Sequence, residues 1–462
     1  MHTERLSVLD AGFLEAEDSD NHVSLAIGAL AILEGPPPPV ADLMKLIDER
    51  VRRIPRCTQV VKSHQWDWSA PEWIADTAFN IEHHVRRTAV TSPGDEPALF
   101  RVVADLMERR LDRTRPLWEC WVIDGVADGK WAMLTKIHHC IADGISAGSI
   151  LTQMCDGENA ETFASDIRGS KTAVARRAGF GIPSLNPLNW VADSWKLSLS
   201  AARAAYRVTA GAAEIAAGIV SPAAPSLTGP VSDLRRYSAA RVSLADLETV
   251  RKRFEVTIND VALAAISDSF RMALLRRGRD PKRNSLRTLV PVSLRSADSL
   301  HEPDNRVSVM LPLLPVEEAD PVQRLLTVHT RLMTAKSSGQ RQAGGAVVAG
   351  SSYLPFALTA WTVRLLTKLP QRGVVTVATN VPGPRKRLRV MDREMISLMP
   401  VPPIALQLRT GIAIMTYADE LVFGLIGDFD ADVGVDELAA GIDEGVQRLI
   451  GVSLARHRSR RR

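Results

Sequence analysis

A strand-like run that ends in two histidines constrains this 462-residue chain more than any other feature. Residues 130–138 alternate in character, and this period of two predicts a β-strand. One face of that strand carries Trp131, Met133, Thr135 and Ile137. Residues 117–124, rich in Trp, Val and Ile, and a turn at residues 125–129 complete a predicted β-hairpin. The hairpin places His138 and His139 at the end of its second strand, shortly before Asp143 and Gly144.

The resulting pattern, HHxxxDG, resembles the active-site motif of CoA-dependent acyltransferases that share the chloramphenicol acetyltransferase fold. That superfamily also contains the condensation domains of peptide synthetases. The resemblance implies that His139 is the general base and that His138 shapes the site. It makes Asp143 a structural residue that pairs with an arginine, and Gly144 the residue of a tight turn.

The chemistry explains why these residue types occur together. A hydroxyl that attacks a thioester must lose its proton, and an imidazole with a pKa near ~6.5 is mostly a free base at neutral pH. A positioned base of this kind contributes roughly 10²–10⁴-fold to the rate. Apolar residues after Gly144 predict a helix, whose N-terminus would disfavour a protonated His139.

Other interpretations of the motif have less support. A His/His/Asp metal site would need further ligands, but no other Cys or His cluster has zinc-like spacing, so no metal is expected. His138 and Asp143 also have the HxxxxD spacing of glycerolipid acyltransferases, which this chain resembles in nothing else. A second pair, His83-His84, lacks a following Asp-Gly and is predicted to lie on a half-exposed strand.

Composition indicates a soluble globular protein with room for two or three domains. Hydrophobic residues make up 45% of the chain and charged residues 24%, and the net charge of +4 does not favour nucleic acid as a partner. The four cysteines form no CxxC motif, so we expect cytosolic free thiols. We find no secretory signal and no apolar stretch of transmembrane length, so a cytoplasmic location is predicted.

Two segments suggest contact with a lipid surface at the inner membrane or a lipid droplet. Residues 197–224 are rich in Ala with few charges, and five arginines lie among residues 456–462. Basic tails add affinity for anionic lipids. The simpler alternatives are an Ala-rich helix that packs against protein and a solvated tail.

The pattern of elements divides the chain into three parts. Residues 1–160 form a first subdomain with a helix at 40–54, residues 161–230 form an Ala/Pro-rich connector, and residues 231–462 form a second subdomain. In the second subdomain, residues 257–278 read as a helix that ends at Gly278. No phosphate-binding glycine loop is present.

Six further segments resemble motifs of the bacterial wax ester synthase/diacylglycerol acyltransferase family, in family order along nearly the whole chain. They are residues 6–14, 116–119, 258–261, 291–295, 304–307 and 380–384. Within the family the chain is most similar to mycobacterial triacylglycerol synthases, also at residues 235–241 and 369–375. Thr228 stands before Gly229-Pro230, where the family often has an asparagine. Because Thr228 lies in the connector, this difference affects the local turn and not catalysis.

The resemblance implies an α/β (α+β) fold of two chloramphenicol-acetyltransferase-like subdomains with an active-site tunnel at their interface. Arg295 is the candidate partner of Asp143. Asn259 and Asp260 are candidates for a role near the catalytic centre, with helix capping as the alternative for both. Asn259 is also the candidate donor to the developing oxyanion.

The resemblance also implies substrates. A polar loop with Asn380, Pro382 and Gly383 is predicted to line the tunnel. The predicted reaction is acyl-CoA:diacylglycerol O-acyl transfer, with acyl-CoA as co-substrate and no permanently bound cofactor. Three alternatives are a wax ester synthase that uses a fatty alcohol, a lipid-droplet binding protein with a vestigial site, and condensation on a carrier protein.

Overall fold

A computed structural model describes residues 4–63, 70–142, 144–157, 227–293, 307–337, 374–405 and 407–459. In these ranges helices and strands are mixed, and the strands form two large sheets and one small one. The predicted α/β (α+β) class is confirmed.

Several helices begin where the sequence offers a side-chain cap. The capping residues, whose side-chain oxygens accept a backbone N–H of the first turn, are Ser7, Asp95, Ser243 and Thr257. The α-helices of the described ranges are α1 Val8–Ser19, α2 Val40–Val51, α3 Glu96–Glu108, α4 Gly144–Met154, α5 Leu244–Phe254, α6 Ile258–Arg276, α7 Pro321–Ser337 and α8 Val435–Ser459.

The first large sheet carries the histidine motif. From one edge to the other its strands are β13 Arg389–Val390, β14 Arg393–Val401, β2 Ala26–Leu33, β7 Lys130–His138, β6 Trp118–Val126 and β5 Val85–Ala89. All neighbours are antiparallel except β5 and β6, and β7 lies near the middle, with Ala26 opposite His138. Since β13 and β14 come from the second half of the chain, that half completes the sheet.

The second large sheet mixes parallel and antiparallel strands. In order, they are β10 Val307–Met310, β9 Leu286–Ser293, β12 Thr376–Val381, β15 Thr410–Tyr417, β16 Glu420–Asp428 and β8 Arg235–Ser243, with β11 Leu313–Leu314 paired to β9. The small sheet consists of β1 Glu4–Arg5, β4 Glu72–Ala75 and β3 Gln59–Lys62.

Each large sheet has its own hydrophobic core. The first core includes Leu99 and Leu134, and the second includes Phe270 and Phe423. The hydroxyl of Tyr237 donates to the carbonyl of Pro400 at 3.1 Å and ties the second sheet to the first. Most of the predicted connector at 161–230 lies outside the described residues, so the domain boundaries stay a prediction.

The predicted hairpin is confirmed, and its second strand is buried on both faces. From Trp131 to His138 every side chain of β7 is buried, including that of Lys136. The ammonium of Lys136 donates to the carbonyls of Leu106 and Arg109 at the end of α3. Burial lowers the pKa of Lys136 to about 8, although Glu119 and Glu17 oppose the shift. The side chain of Lys136 therefore holds the end of α3 in place.

The prediction for His83-His84 was wrong. His83 ends a short 3₁₀ helix, Ile81–His83, and His84 is buried, stacked on Trp118 with ring centroids 4.6 Å apart. The Nδ1 of His84 lies 2.8 Å from the carbonyl oxygen of Trp118. Burial lowers the pKa of His84, so this ring belongs to the packed core.

Other predicted elements hold with small changes at their ends. The helix expected at 257–278 runs from Ile258 to Arg276, with Thr257 as its cap and Gly278 at φ +66°. The helix expected at 40–54 ends at Val51.

Within the described part of the chain, every helix is too short or too polar to cross a membrane. The Ala-rich residues 197–224 and the last three arginines lie outside that part.

Candidate functional site

The backbone fixes both histidines where β7 ends. The amide of His138 donates to the carbonyl of Leu117 at 2.9 Å, and that of His139 donates to Leu25 at 3.0 Å. The amide of Ile141 then bonds back to the carbonyl of His138 at 3.0 Å and closes a turn. The histidine pair is thus held by Leu117 and Leu25, the residues directly before the two strands that flank β7.

The ring of His138 faces the protein interior. Its Nδ1 accepts a hydrogen bond from the amide of Cys140 at 3.1 Å, and its Nε2 lies 3.4 Å from Oε2 of Glu17. Because a backbone amide can only donate, Nδ1 carries no proton and the proton of the neutral ring is on Nε2. The side chain is 1% exposed, so this ring has no open face for a substrate. These contacts fit the predicted shaping role of His138.

Glu17, on α1, is a buried carboxylate with partners at both oxygens. Oε1 accepts from the amide of Leu25 at 3.0 Å, and Oε2 accepts from Arg113 at 2.8 Å. Burial by itself raises the pKa of Glu17, but the neighbouring His138 and the hydrogen bonds from Arg113 and the Leu25 amide lower that pKa to about 2. Glu17 is therefore an anion at neutral and mildly acid pH.

The ring of His139 occupies a different environment. It is partly exposed and stacks on Phe13 of α1, with centroids 4.2 Å apart and planes 27° apart. Phe13 and Glu17 lie one helical turn apart, so the same face of α1 contacts both histidines. This arrangement holds one imidazole in the interior and leaves the other accessible.

Cys140 follows His139 directly but is an unsuitable nucleophile. It is 3% exposed, and burial raises the pKa of its thiol well above the ordinary value. A nucleophilic cysteine requires the thiolate form, which the burial of Cys140 disfavours.

Helix α4 begins at Gly144 and meets the second sheet. A Cβ built on Gly144 would lie 2.6 Å from Cγ2 of Val381, at the end of β12. Only a glycine allows this close approach, which brings the histidine motif against the predicted tunnel loop. Asp143 and Arg295 lie outside the described residues, so their predicted ion pair stays a prediction.

Two predicted site residues from separate segments are in contact. The amide nitrogen of Asn380 donates to Oδ1 of Asn259 at 3.3 Å. Asp260 forms a capping box with Thr257, and its Oδ2 lies 2.8 Å from Nδ1 of His329. Asp260 therefore caps α6, and a further role in catalysis stays a prediction.

The tunnel-loop residues Pro382 and Gly383 follow β12. Gly383 donates its amide to the hydroxyl of Thr416 at 3.1 Å, and a Cβ there would lie 2.0 Å from the carbonyl oxygen of Thr416. Gly383 thus permits close backbone packing, while Pro382 is half-buried. That this loop lines a tunnel stays a prediction.

Sequence reasoning missed Glu17, Arg113, Val381 and His329. The one local signal was the position of Glu17, three residues beyond the recognised motif at residues 6–14. Among the residues that the structure describes, no three His, Cys, Asp or Glu side chains are grouped as a metal site would require.

The chain matches two family models over most of its length. Residues 6–262 match the wax ester synthase/diacylglycerol acyltransferase catalytic domain, and residues 304–449 match the WS/DGAT C-terminal domain. A relative from Mycobacterium tuberculosis, named "Probable diacyglycerol O-acyltransferase tgs1", is 53% identical over 460 residues, which is 99% of this chain and 98% of the relative.

Solved structures share the fold. The wax ester synthase/diacylglycerol acyltransferase from Marinobacter aquaeolei VT8 is similar with a TM-score of 0.68 at 23% identity, covering 97% of this chain and 99% of that one. The first condensation domain of the CDA synthetase has a TM-score of 0.62 at 13% identity, covering 98% and 96%. The predicted fold of two chloramphenicol-acetyltransferase-like subdomains is thereby confirmed.

Proposed function

Because the chain belongs to the wax ester synthase/diacylglycerol acyltransferase family, we propose that it transfers a long-chain acyl group from CoA to the free hydroxyl of diacylglycerol. The product is triacylglycerol. The 53% identity to a relative that carries the name of this activity supports diacylglycerol as acceptor. Acyl-CoA and diacylglycerol are then the two substrates.

The placement of His139 is the observation that carries this proposal. Its ring is the accessible one of the pair, and Phe13 supports one face of it. His138, with Nδ1 bonded and its side chain buried, is unsuited to take a proton from a substrate. A base must reach the proton that it removes, and the partly exposed His139 suits that role better than the buried His138.

The reaction needs no covalent enzyme intermediate. His139 accepts the proton of the diacylglycerol hydroxyl while the oxygen attacks the thioester carbon. The tetrahedral intermediate collapses, the carbon–sulfur bond breaks, and the CoA sulfur leaves. The proton held on His139 passes to that sulfur, so free CoA thiol and triacylglycerol are released and the base is regenerated.

Asn259 is the proposed donor to the oxyanion. Its Oδ1 is occupied by the amide of Asn380, which orients the Asn259 amide so that its NH₂ remains for another acceptor. A fixed donor near the developing negative charge is worth about 10²–10³-fold in kcat. Asn380 then acts by orienting Asn259.

The acceptor and the site of the reaction are parts of the same proposal. Diacylglycerol resides in lipid, whereas acyl-CoA comes from water, so we place the enzyme at the surface of a membrane or lipid droplet. A fatty alcohol is the competing acceptor, since the family also makes wax esters.

An acceptor competition tests the proposal. Purified protein receives radiolabelled palmitoyl-CoA with dispersed diacylglycerol, with hexadecanol, or with both. We expect label mainly in triacylglycerol when both acceptors are present. If the label appears mainly in wax ester, the preferred acceptor is a fatty alcohol and not diacylglycerol. If neither acceptor yields an ester, the acyltransferase proposal is refuted.

A further inference from the structure

We propose that Glu17 is a positioning residue that orients both histidines of the motif, through the ring of His138 and the backbone of His139. This inference rests on the proposed function, in which His139 is the base. Glu17 lies on α1, far from the motif in sequence. It touches neither of the reacting groups and acts only through other residues.

The first link runs through the ring of His138. The amide of Cys140 binds Nδ1, so the ring proton is on Nε2, which lies 3.4 Å from Oε2 of Glu17 without an aligned hydrogen bond. That distance is longer than the usual ~2.9–3.0 Å of an N–H···O bond, so the attraction is mainly that of a charge for a dipole. The amide donor at Nδ1 fixes the tautomer, and the charge of Glu17 beside Nε2 favours this orientation of the ring.

The second link runs through the backbone of Leu25, the residue directly before β2. Oε1 of Glu17 accepts from the amide of Leu25 at 3.0 Å, and the carbonyl of Leu25 accepts from the amide of His139 at 3.0 Å. One side chain therefore holds the segment to which the base is attached. Phe13, one turn earlier on α1, supports the ring of the same histidine.

The arrangement requires two acceptor oxygens and no donor. Glu17 accepts hydrogen bonds from Leu25 at one oxygen and from Arg113 at the other, and Nε2 of His138 lies 3.4 Å from the second oxygen. A glutamine has a single acceptor oxygen, so its NH₂ group must face at least one of these donors. Glu17→Gln thus keeps the shape and removes the positioning.

Arg113 makes this substitution tolerable for folding. Its guanidinium also bonds the carboxylate of Asp18 at 2.8 Å and the carbonyl of Leu14 at 3.1 Å. Its side chain is 32% exposed, so water can stabilise the charge that Glu17 leaves unpaired. Asp18 provides a matched control, because it is 55% exposed and bonds Arg113 without touching either histidine.

The kinetic test compares Glu17→Gln with Asp18→Asn. We expect Glu17→Gln to lower kcat by about 10–100-fold with KM for palmitoyl-CoA unchanged, as a small misplacement of a catalytic group does. Asp18→Asn should keep the kcat of the wild type. Equal losses of kcat in both variants would mean that Glu17 acts only by pairing with Arg113, which would contradict the positioning role. An unchanged kcat in folded Glu17→Gln would overturn the proposal.

A spectroscopic test needs no activity and so separates this inference from the proposed function. In protein with ¹⁵N-labelled histidine, the wild type should show the His138 proton on Nε2, assigned by its absence in His138→Gln. Glu17→Gln should shift those ring resonances, while Asp18→Asn leaves them in place. Unshifted resonances in Glu17→Gln would contradict the positioning role, even if the acceptor assay had failed.

Discussion

The ring of Phe13 stacks on the ring of His139, with 4.2 Å between the centroids. Phe13 belongs to α1, whose next turn presents Glu17 to His138. A helix near the start of the chain therefore sets the environment of both histidines of a motif in its middle. The site is built from α1, β2 and β7 together rather than from the motif alone.

The stack itself makes a testable contribution. Aromatic pairs add about 0.5–1.5 kcal/mol beyond burial, so Phe13→Leu should lower kcat up to about tenfold while it retains apolar volume. Leucine keeps the apolar packing of this position but offers no flat surface to the imidazole. The measurement is kcat at saturating palmitoyl-CoA, together with the thermal midpoint. A wild-type kcat in Phe13→Leu would show that the stack does not support the base.

The contact between Gly144 and Val381 predicts that a side chain at position 144 causes a steric clash, which a smaller residue at position 381 relieves. In Gly144→Ala the new methyl group would lie 2.6 Å from Cγ2 of Val381, a β-branched side chain that moves little. Overpacking of this kind costs about 1–3 kcal/mol and would displace the start of α4.

The second substitution Val381→Ala supplies the control. The double variant should regain most of the stability and activity lost in Gly144→Ala, because the clashing methyl group is gone. Denaturant unfolding and turnover of all four proteins form a double-mutant cycle. Strict additivity of the two effects would contradict a direct contact.

The lowered pKa of Glu17 predicts how the free energy of unfolding depends on pH in the acid range. Its pKa is lowered from 4.5 to about 2, so the folded state binds this proton less readily than the unfolded chain does. The stability that it contributes is complete above about pH 4.5 and is lost as pH falls toward 2, with an order of magnitude of about 3 kcal/mol.

A comparison with Glu17→Gln isolates this group. The difference in unfolding free energy between the wild type and the variant should be larger at pH 6 than at pH 3. Urea unfolding at several pH values gives that difference directly, and Asp18→Asn corrects for the loss of a neighbouring carboxylate. A difference that is constant with pH would mean that Glu17 titrates alike in both states.

Local sequence patterns predicted the local structure well. Thr257 marks the start of α6 because its side chain caps the neighbouring backbone. Gly278 marks the end of α6 because it adopts a positive φ. The hairpin that carries the histidines follows from alternation and a turn, and the motif itself indicated the family.

Contacts between distant segments were not predictable in the same way. No local pattern shows that β14 pairs with β2, or that Glu17 faces His138, because strand partners and ion-pair partners depend on the whole fold. His84 was misjudged for a related reason. Its burial depends on Trp118, which reaches it only when β5 and β6 pair.

The most direct measurement compares turnover by the wild type, His139→Ala and His83→Ala. His83 is an exposed histidine outside the site, so its variant controls for the loss of an imidazole. With radiolabelled palmitoyl-CoA and diacylglycerol, we expect label in triacylglycerol from the wild type and His83→Ala, and a loss of at least about 10² in His139→Ala. Comparable turnover by folded His139→Ala would contradict the assignment of His139 as the base.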